Sequence, residues 1–572
     1  MVEHALRNAG PRPARTIEPF GQIVVGLFRL SIDSANCSIP ALPEWKGKYQ
    51  LSIFRLSIAP SPRALWASQA TIRAELFSVE RLEQHAESLA AAQRVTQRPA
   101  AGHSLATRLR DNGKVLLDAY RTLAQATNED RPITPAAEWL IDNFHVIDEQ
   151  IREIKDDLPP SFYRQLPKLA DGPLEGYPRV FGIAWAFVAH TDSRYDSEML
   201  CRFVRAYQRV QPLTIGELWA VAITLRIVLV ENLRRLADGI VVRRAARQEA
   251  DILADRLLGA AERDAEPVAS VLSGMNKTNL VPAFSVQLVQ RLRDQDPKVT
   301  PALLWLDERL ADQQTSADEI VREEHQRQGA TNVTIRNVIT SMRFISAVDW
   351  AEMFESMSLV DELLRADSNF VDMDFPTRDI YRRAIEELAR GSMRSELEVA
   401  RLALLAARRA RDGREGDGDI ASARQEDPGY YLLAQGRQGF EKTLGFRVPM
   451  RQWLVRANAT VGISGYLGMI AIITAAIVAA TLIWGTAFES GAVLGALALV
   501  ALIPASEAAT ALVNREAGTR FNATILPGLE FRGGIPPQLR TMIVIPTLLT
   551  THAALAEQIE RLEVHHLSLI HI

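Results

Sequence analysis

The pair Asp372-Met-Asp374 is the first feature of this 572-residue chain with the makings of chemistry. Two carboxylates one residue apart present hard oxygens, which suit Mg²⁺ or Mn²⁺ and can hold the cation against a diphosphate. That task requires the pair at the end of a strand in an α/β sheet. Here helical patterns flank it and Pro376-Thr377 follow as a helix start, so the spacing predicts a polar turn between two helices. Asp412, Asp417 and Asp419 lack the spacing of a calcium loop and read as part of a flexible linker. His145 and His190 lie on apolar-rich helical stretches without a second His at ligand spacing, which favours core or capping histidines. His565-His566 does not make a metal set, and no phosphate-binding glycine loop or Ser/His/Asp arrangement emerges from the spacing. The sequence therefore assigns no catalytic, cofactor-binding or metal residue.

Composition narrows the class further. Hydrophobic residues are 47% and charged residues 23%, the usage of a globular chain rather than a disordered or collagen-like one. Lys+Arg 65 against Asp+Glu 69 leaves −4, so no global basic field exists for nucleic acid. Two cysteines, Cys37 and Cys201, cannot build a disulfide scaffold or a cysteine metal site and suit a reducing compartment.

The elements that must position any site are helices. Ser78 reads as the N-cap of a helix over 79–94, apolar residues recur at helical spacing over 105–126, and Thr134-Pro135 open a helix over 136–156 that stops before Pro159-Pro160. Thr214-Ile-Gly-Glu217 is a capping box. It opens an apolar run to Val230, interrupted by Glu217, Arg226 and Glu231, which fits a central core helix better than a membrane span. Helical patterns continue over 249–263, 284–294, 301–313, 333–344, 358–365, 378–389 and 395–410. Residues 411–428 are rich in Gly, Asp, Glu and Arg and read as a solvated linker. The first 70 residues hold a twice-occurring Phe-Arg-Leu-Ser-Ile (28–32 and 54–58) and no helical or strand period. They read as poorly structured, or as sequence translated upstream of the true start.

A mean hydropathy of −0.03 hides a local extreme. No charged residue occurs from Ala457 to Phe488, and a second apolar run over 490–513 is broken only by Glu507. A helix crosses a ~30 Å hydrocarbon core with about 20 apolar residues, so both runs predict transmembrane helices. Tyr466 and Trp484 sit where interfacial aromatics belong. Arg451, Arg456, Arg515 and Arg520 flank the pair while the short link carries only Glu489, which places both flanks in the cytoplasm. Glu507 then falls near the inner end of the second span, where its carboxylate can snorkel to the interface. Beyond the hairpin, Met542 to Ile545 is a β-branched run typical of a buried parallel strand, and 553–564 reads as a helix. One β–α unit cannot make a sheet, so the domain it opens must continue elsewhere.

Several long segments carry a resemblance. They are 136–159 (through Trp139-Leu-Ile-Asp-Asn-Phe-His145), 166–179, 205–219, and Met373-Asp-Phe-Pro-Thr-Arg-Asp-Ile-Tyr-Arg382, followed by Pro428-Gly-Tyr-Tyr-Leu-Leu433. Over about Thr71 to Val564 the chain resembles the N-terminal part of the bacterial cyclic β-1,2-glucan synthases. The resemblance implies a large inner-membrane protein whose cytoplasmic glycosyltransferase domain adds glucose from UDP-glucose with inversion and the help of a divalent cation (Mg or Mn). It implies a growing β-1,2-glucan carried on the protein and then cyclised, and a distant phosphorylase-like domain. The 541–550 stretch resembles the first strand of that transferase domain. The family's metal carboxylates and catalytic base would lie downstream of Ile572, so none is placed here and this piece alone is expected to be inactive.

The expected organisation is mainly α. It comprises an extension (1–70), an all-helical cytoplasmic region (71–410), a linker and juxtamembrane segment (411–456), and two transmembrane helices (457–513). The start of a truncated α/β glycosyltransferase domain follows (514–566). The last residues, Leu567-Ser-Leu-Ile-His-Ile572, match the translation of a transposase sequencing adapter and are expected to be artefact. Expected partners are the lipid bilayer, UDP-glucose and the glucan, and the missing transferase and phosphorylase-like domains, with no nucleic acid. The alternative from a different class is a non-enzymatic, membrane-tethered helical scaffold or sensor.

Overall fold

Side-chain caps start most of the helices. Ser104 accepts the Thr107 N–H at 3.2 Å, Asp196 the Met199 N–H at 2.9 Å, and Ser316 the Glu319 N–H at 3.3 Å. Both capping boxes close reciprocally. The Glu217 N–H reaches Thr214 Oγ1 at 3.2 Å while the Thr214 N–H reaches Glu217 Oε2 at 3.0 Å, and Ser395 with Glu398 does the same. The computed structural model describes residues 70–96, 104–129, 131–157, 159–263, 271–272, 280–293, 299–413, 424–449, 463–484, 491–520, 527–530, 537 and 551–570. The twice-occurring pentapeptide, Asp417, Asp419, Arg451, Arg456, Glu489 and the expected strand at 542–545 all lie outside them.

Twenty helices and one two-residue strand pair make up the described elements. In order they are α1 Val79–Ala92, β1 Val95–Thr96, α2 Leu105–Asn128, α3 Pro135–Asp142, α4 Phe144–Asp157, α5 Pro160–Gln165, β2 Lys168–Leu169, α6 Arg179–His190 and α7 Ser197–Val210. There follow α8 Ile215–Arg263, α9 Pro282–Leu292, α10 Thr300–Asp312, α11 Ala317–Ala347, α12 Trp350–Met357 and α13 Leu359–Asp367. The last are α14 Phe375–Ser392, α15 Glu396–Asp412, α16 Pro428–Leu432, α17 Arg437–Leu444, α18 Ile463–Trp484, α19 Gly491–Arg520 and α20 His552–Ile570. Strands β1 and β2 pair antiparallel, Val95 opposite Leu169.

The runs expected over 218–230 and 249–263 belong to one helix, α8, of 49 residues and about 74 Å at 1.5 Å per residue. Its first half is the axis of the main core, where Val228, Val230 and Leu233 are fully buried against α2, α6 and α11. Its second half joins a separate, smaller core with α9 and α10, built on Leu257, Leu288 and Leu306. The helix expected over 136–156 is instead two, parted at Asn143, whose side-chain Nδ2 turns back to the Trp139 carbonyl at 2.8 Å.

The core of the main body also holds ionised side chains. Glu231 has no exposed surface and accepts hydrogen bonds from Arg108 (2.9 Å), Asn112 (2.7 Å), Arg235 (2.8 Å) and Arg234 (3.2 Å). Burial by itself raises its carboxyl, but the bonds and charge of Arg108 and Arg235 outweigh that and hold it below the usual carboxylate range. Arg179 pairs with the equally buried Glu217 at 2.5 Å.

The linker read over 411–428 is helical at both edges. Helix α15 runs to Asp412, and α16 and α17 bury Leu432, Phe440 and Leu444 in the main core. The two apolar runs form α18 and α19, long and apolar enough to cross a membrane, and they lie side by side with Tyr466 Oη donating to Asn514 Oδ1 at 2.8 Å. In α19, Ala505 and Ala509 are buried while Glu507 is exposed.

Candidate membrane-coupling site on helix α14

Asp372 and Asp374 sit where the sequence placed them, between helices, but they do more than turn the chain. Asp374 is the N-cap of α14, its Oδ1 accepting the Thr377 N–H at 3.0 Å, with Pro376 in the first turn where a missing N–H costs nothing. The backbone of the same three residues is an edge that another segment completes. Met373 bridges Leu529 in antiparallel register, the Asp374 N–H donating to the Gly528 carbonyl (3.2 Å) and the Glu530 N–H to the Asp372 carbonyl (2.8 Å). The Gly528 N–H donates to Thr377 Oγ1 at 2.7 Å. A Cβ on Gly528 would stand 2.7 Å from Asp374 Oδ2, so the close approach needs glycine.

Behind this edge lies a chain of charges. Glu530 approaches Arg378 (3.6 Å), Arg378 meets Glu355 (2.9 Å), and Glu355 also takes Arg365 (2.6 Å) and Arg382 (2.7 Å). The Arg382 side chain is fully buried and forks onto Asp361 at 3.1 and 2.5 Å, with its guanidinium carbon 5.0 Å from both the Phe354 and Phe375 ring centres. Burial works against its charge, and Asp361 and Glu355 overcome it, raising the guanidinium above its usual value.

The other end of α14 holds the chain on its way toward α18. Tyr381 Oη donates to Asp427 Oδ1 at 2.7 Å, and burial followed by that carboxylate pushes the phenol above its usual value. Arg437 pairs with Glu387 at 2.9 Å, and the Arg447 N–H donates to the Gly391 carbonyl at 3.0 Å. A Cβ at Gly391 would stand 2.1 Å from the Phe446 ring, so only glycine fits there. One helix of about 27 Å thus grips the chain before the two apolar helices and again after them. Both flanks of the hairpin therefore lie on one side of any membrane it crosses.

The outer face of α14 lines two adjoining recesses of about 880 and 650 Å³, and a third of about 390 Å³ continues the groove beyond the helix. The first two share Phe162, Gly216 and Glu386; the second and third share Phe162 and Trp219. Trp219 stacks on Phe354 (4.4 Å between centres, 12°) and meets Phe375 edge-on. Glu386 pairs with Arg390 at 2.5 Å. Glu396 accepts the Ile215 N–H at 2.7 Å and is pushed up to about 7, first by burial and then by the Glu386 and Glu217 carboxylates, against the pull of the Ile215 bond. Sequence inspection did not find this groove. Phe162, Trp219, Glu386 and Glu396 stand far apart in the chain, and only the Trp219 capping-box segment carried a signal.

The histidines behave differently from one another. His190 stacks on Phe77 (4.0 Å, 11°), and its Nδ1 lies 2.7 Å from the Glu75 carbonyl oxygen. His145 is exposed, not in the core, because α4 buries Val146, Ile147, Gln150, Ile151 and Ile154 on its other face. Among the described residues no three His, Cys, Asp or Glu side chains gather as a metal-ligand set. They do not fit a divalent cation, and no step is assigned to one.

Fold and site together define a class: a helical body coupled to a two-helix apolar hairpin by a clasp closed on both sides of it. No family model matches the chain. It is 35% identical over 501 residues to the protein described as cyclic beta-(1,2)-glucan synthase NdvB of Rhizobium meliloti (strain 1021). The match covers 87% of this chain and 17% of that protein's length. The chain is thus a relative of a cyclic glucan synthase.

Proposed function

We propose that the chain is the N-terminal part of a membrane-bound cyclic β-1,2-glucan synthase that polymerises glucose from UDP-glucose, and that it supplies the helical scaffold and the membrane anchor. In this reading the catalytic groups, the divalent cation (Mg or Mn), the transferase and the phosphorylase-like domain belong to sequence beyond it. The membrane is the bacterial inner membrane, with the helical body and the segment after the hairpin in the cytoplasm. The observation that carries the reading is the grip of α14 on residues 528–530. A scaffold that only anchored itself would have no need to hold the chain that leaves the membrane, whereas one that orients a following catalytic domain must.

The groove supports a role in handling the product. Flat rings such as Phe162 and Trp219 offer faces to the C–H side of a pyranose, while Glu386, Arg390 and Asp379 offer charged partners to its hydroxyls. The test is incorporation of labelled glucose from UDP-glucose by membranes carrying the complete gene. Glucan of β-1,2 linkage is expected; its absence from a well-expressed full-length protein would defeat the reading.

A further inference from the structure

Helix α8 carries three arginines, Arg243, Arg244 and Arg247, where it passes from the main core to the smaller one. Two of them, with Arg131 from the segment after α2, line a cavity of about 630 Å³. Among the described residues neither Arg244 nor Arg247 is ion-paired, and Nη1 of Arg244 is buried with no hydrogen-bond partner. A buried donor left unsatisfied costs stability, and a cationic one costs more. The acids nearby have other partners than Arg244 and Arg247: Glu129 accepts from Gln125 at 2.9 Å and pairs with Arg131 at 3.1 Å, and Asp251, itself in the cavity lining, accepts from Gln287 at 2.8 Å and faces Arg291 at 3.6 Å. Burial, then the charges of Arg131 and Arg247, lowers the Arg244 guanidinium from its usual value. The apolar part of the lining is Leu123, Pro132, Ile133, Ile240 and Ile252.

We propose that this cavity binds a phosphate-bearing ligand, its anionic group held by Arg131, Arg244 and Arg247 and its apolar or aromatic part laid against Ile133, Ile240 and Ile252. Guanidinium forks match phosphate oxygens in pairs, which would satisfy the orphaned Nη1 and neutralise the mutual repulsion of Arg244 and Arg247, the two cations without a carboxylate partner. The volume falls in the range of small-molecule sites. The phosphate can come from a soluble nucleotide or from the headgroup of an anionic lipid, and the chemistry of recognition is shared. The site lies away from α14 and from the groove, and the proposal stands whether or not the synthase reading does.

The experiment is calorimetric titration of the full chain in detergent with UDP, with inorganic pyrophosphate, and with short-chain phosphatidylglycerol against short-chain phosphatidylcholine. Binding of UDP or pyrophosphate, weakened by salt, identifies the soluble source; binding of phosphatidylglycerol alone identifies the lipid. Either way Arg244→Gln/Arg247→Gln should weaken it at least tenfold, while Arg152→Gln, outside the cavity and paired with Asp148, should leave it within twofold. Without ligand the double variant should melt at the same or a higher temperature, since it loses repulsion and an orphaned donor. No binding of any phosphate probe, or equal binding by the double variant, overturns the proposal. So does a lowered melting temperature, which would make the arginines structural.

Discussion

Replacing Glu231 by Gln is the sharpest test of how the main core is held. The substitution keeps the shape and one acceptor but removes the charge on which Arg108, Arg234 and Arg235 converge. Arg234 and Arg235 have side chains only 5% and 2% exposed and cannot turn to water, whereas Arg108, at 23%, can. Breaking a buried ion pair from one side costs about 3–5 kcal/mol, and the freedom of Arg108 favours the lower end. For a cooperative body of roughly 300 residues, with an unfolding entropy of about 2 cal/mol/K per residue, that is a fall of ~5 °C in melting temperature. The assay is circular dichroism of the full chain in detergent, with the apolar hairpin as a helical baseline. The pH dependence gives a second arm. Because the folded carboxyl is held below its unfolded value of 4.5, its contribution is complete above that pH and is lost as pH falls through the folded value. The gap between parent and variant should therefore be widest at neutral pH and shrink in acid. A variant that melts within 1 °C of the parent at about pH 7, or a gap that persists in acid, would refute the argument that the charge itself is what the core requires.

Other outcomes follow from the clasp and the groove. Met373 and Leu529 face each other as a non-hydrogen-bonded antiparallel pair, so Met373→Cys with Leu529→Cys should form an intramolecular disulfide under mild oxidation. Mass spectrometry of the linked peptides reads it, and formation no faster than in guanidinium would exclude the register. Glu396 is raised to about 7, so the folded state binds more protons than the unfolded one between about 4.5 and 7 and stability falls as pH rises through that window. Glu396→Gln should flatten this slope in denaturant titrations at several pH values; an unchanged slope would assign it to other groups. Phe162→Ala should reduce retention of the full chain on immobilised β-1,2-gluco-oligosaccharide by severalfold without changing its melting temperature by more than a few degrees, and undiminished retention would remove the ring from the saccharide reading.

Much of the architecture could be read from local signals. The capping box at Thr214, the apolar faces, and the two charge-free runs each depend on residues within a few turns of one another. The lengths of helices were less legible. Between 231 and 249 the pair Asp238-Gly239 reads as a break, yet packing against two different cores carries the helix through it. The site was hardly legible at all. Asp372-Met-Asp374 drew notice as carboxylates, whereas what they contribute at the clasp is mostly backbone, and backbone edges leave no mark on side-chain chemistry. Arg382 reads from sequence as one more surface cation on a helix with mixed charges. Only the fold brings Asp361, Glu355 and three phenylalanines around it.

The clasp on α14 also orders events in time. The Gly528 N–H meets Thr377 across 151 positions of chain, an interval of roughly eight to thirty seconds at the ~5–20 residues per second of synthesis. Throughout it, the edge at Asp372–Asp374 stands open while α14 to α17 emerge and complete the main core. It is closed only by chain that lies beyond both apolar helices. Closure therefore waits on both apolar helices, and a closed clasp is compatible only with flanks that stand on the same side of any membrane the hairpin crosses.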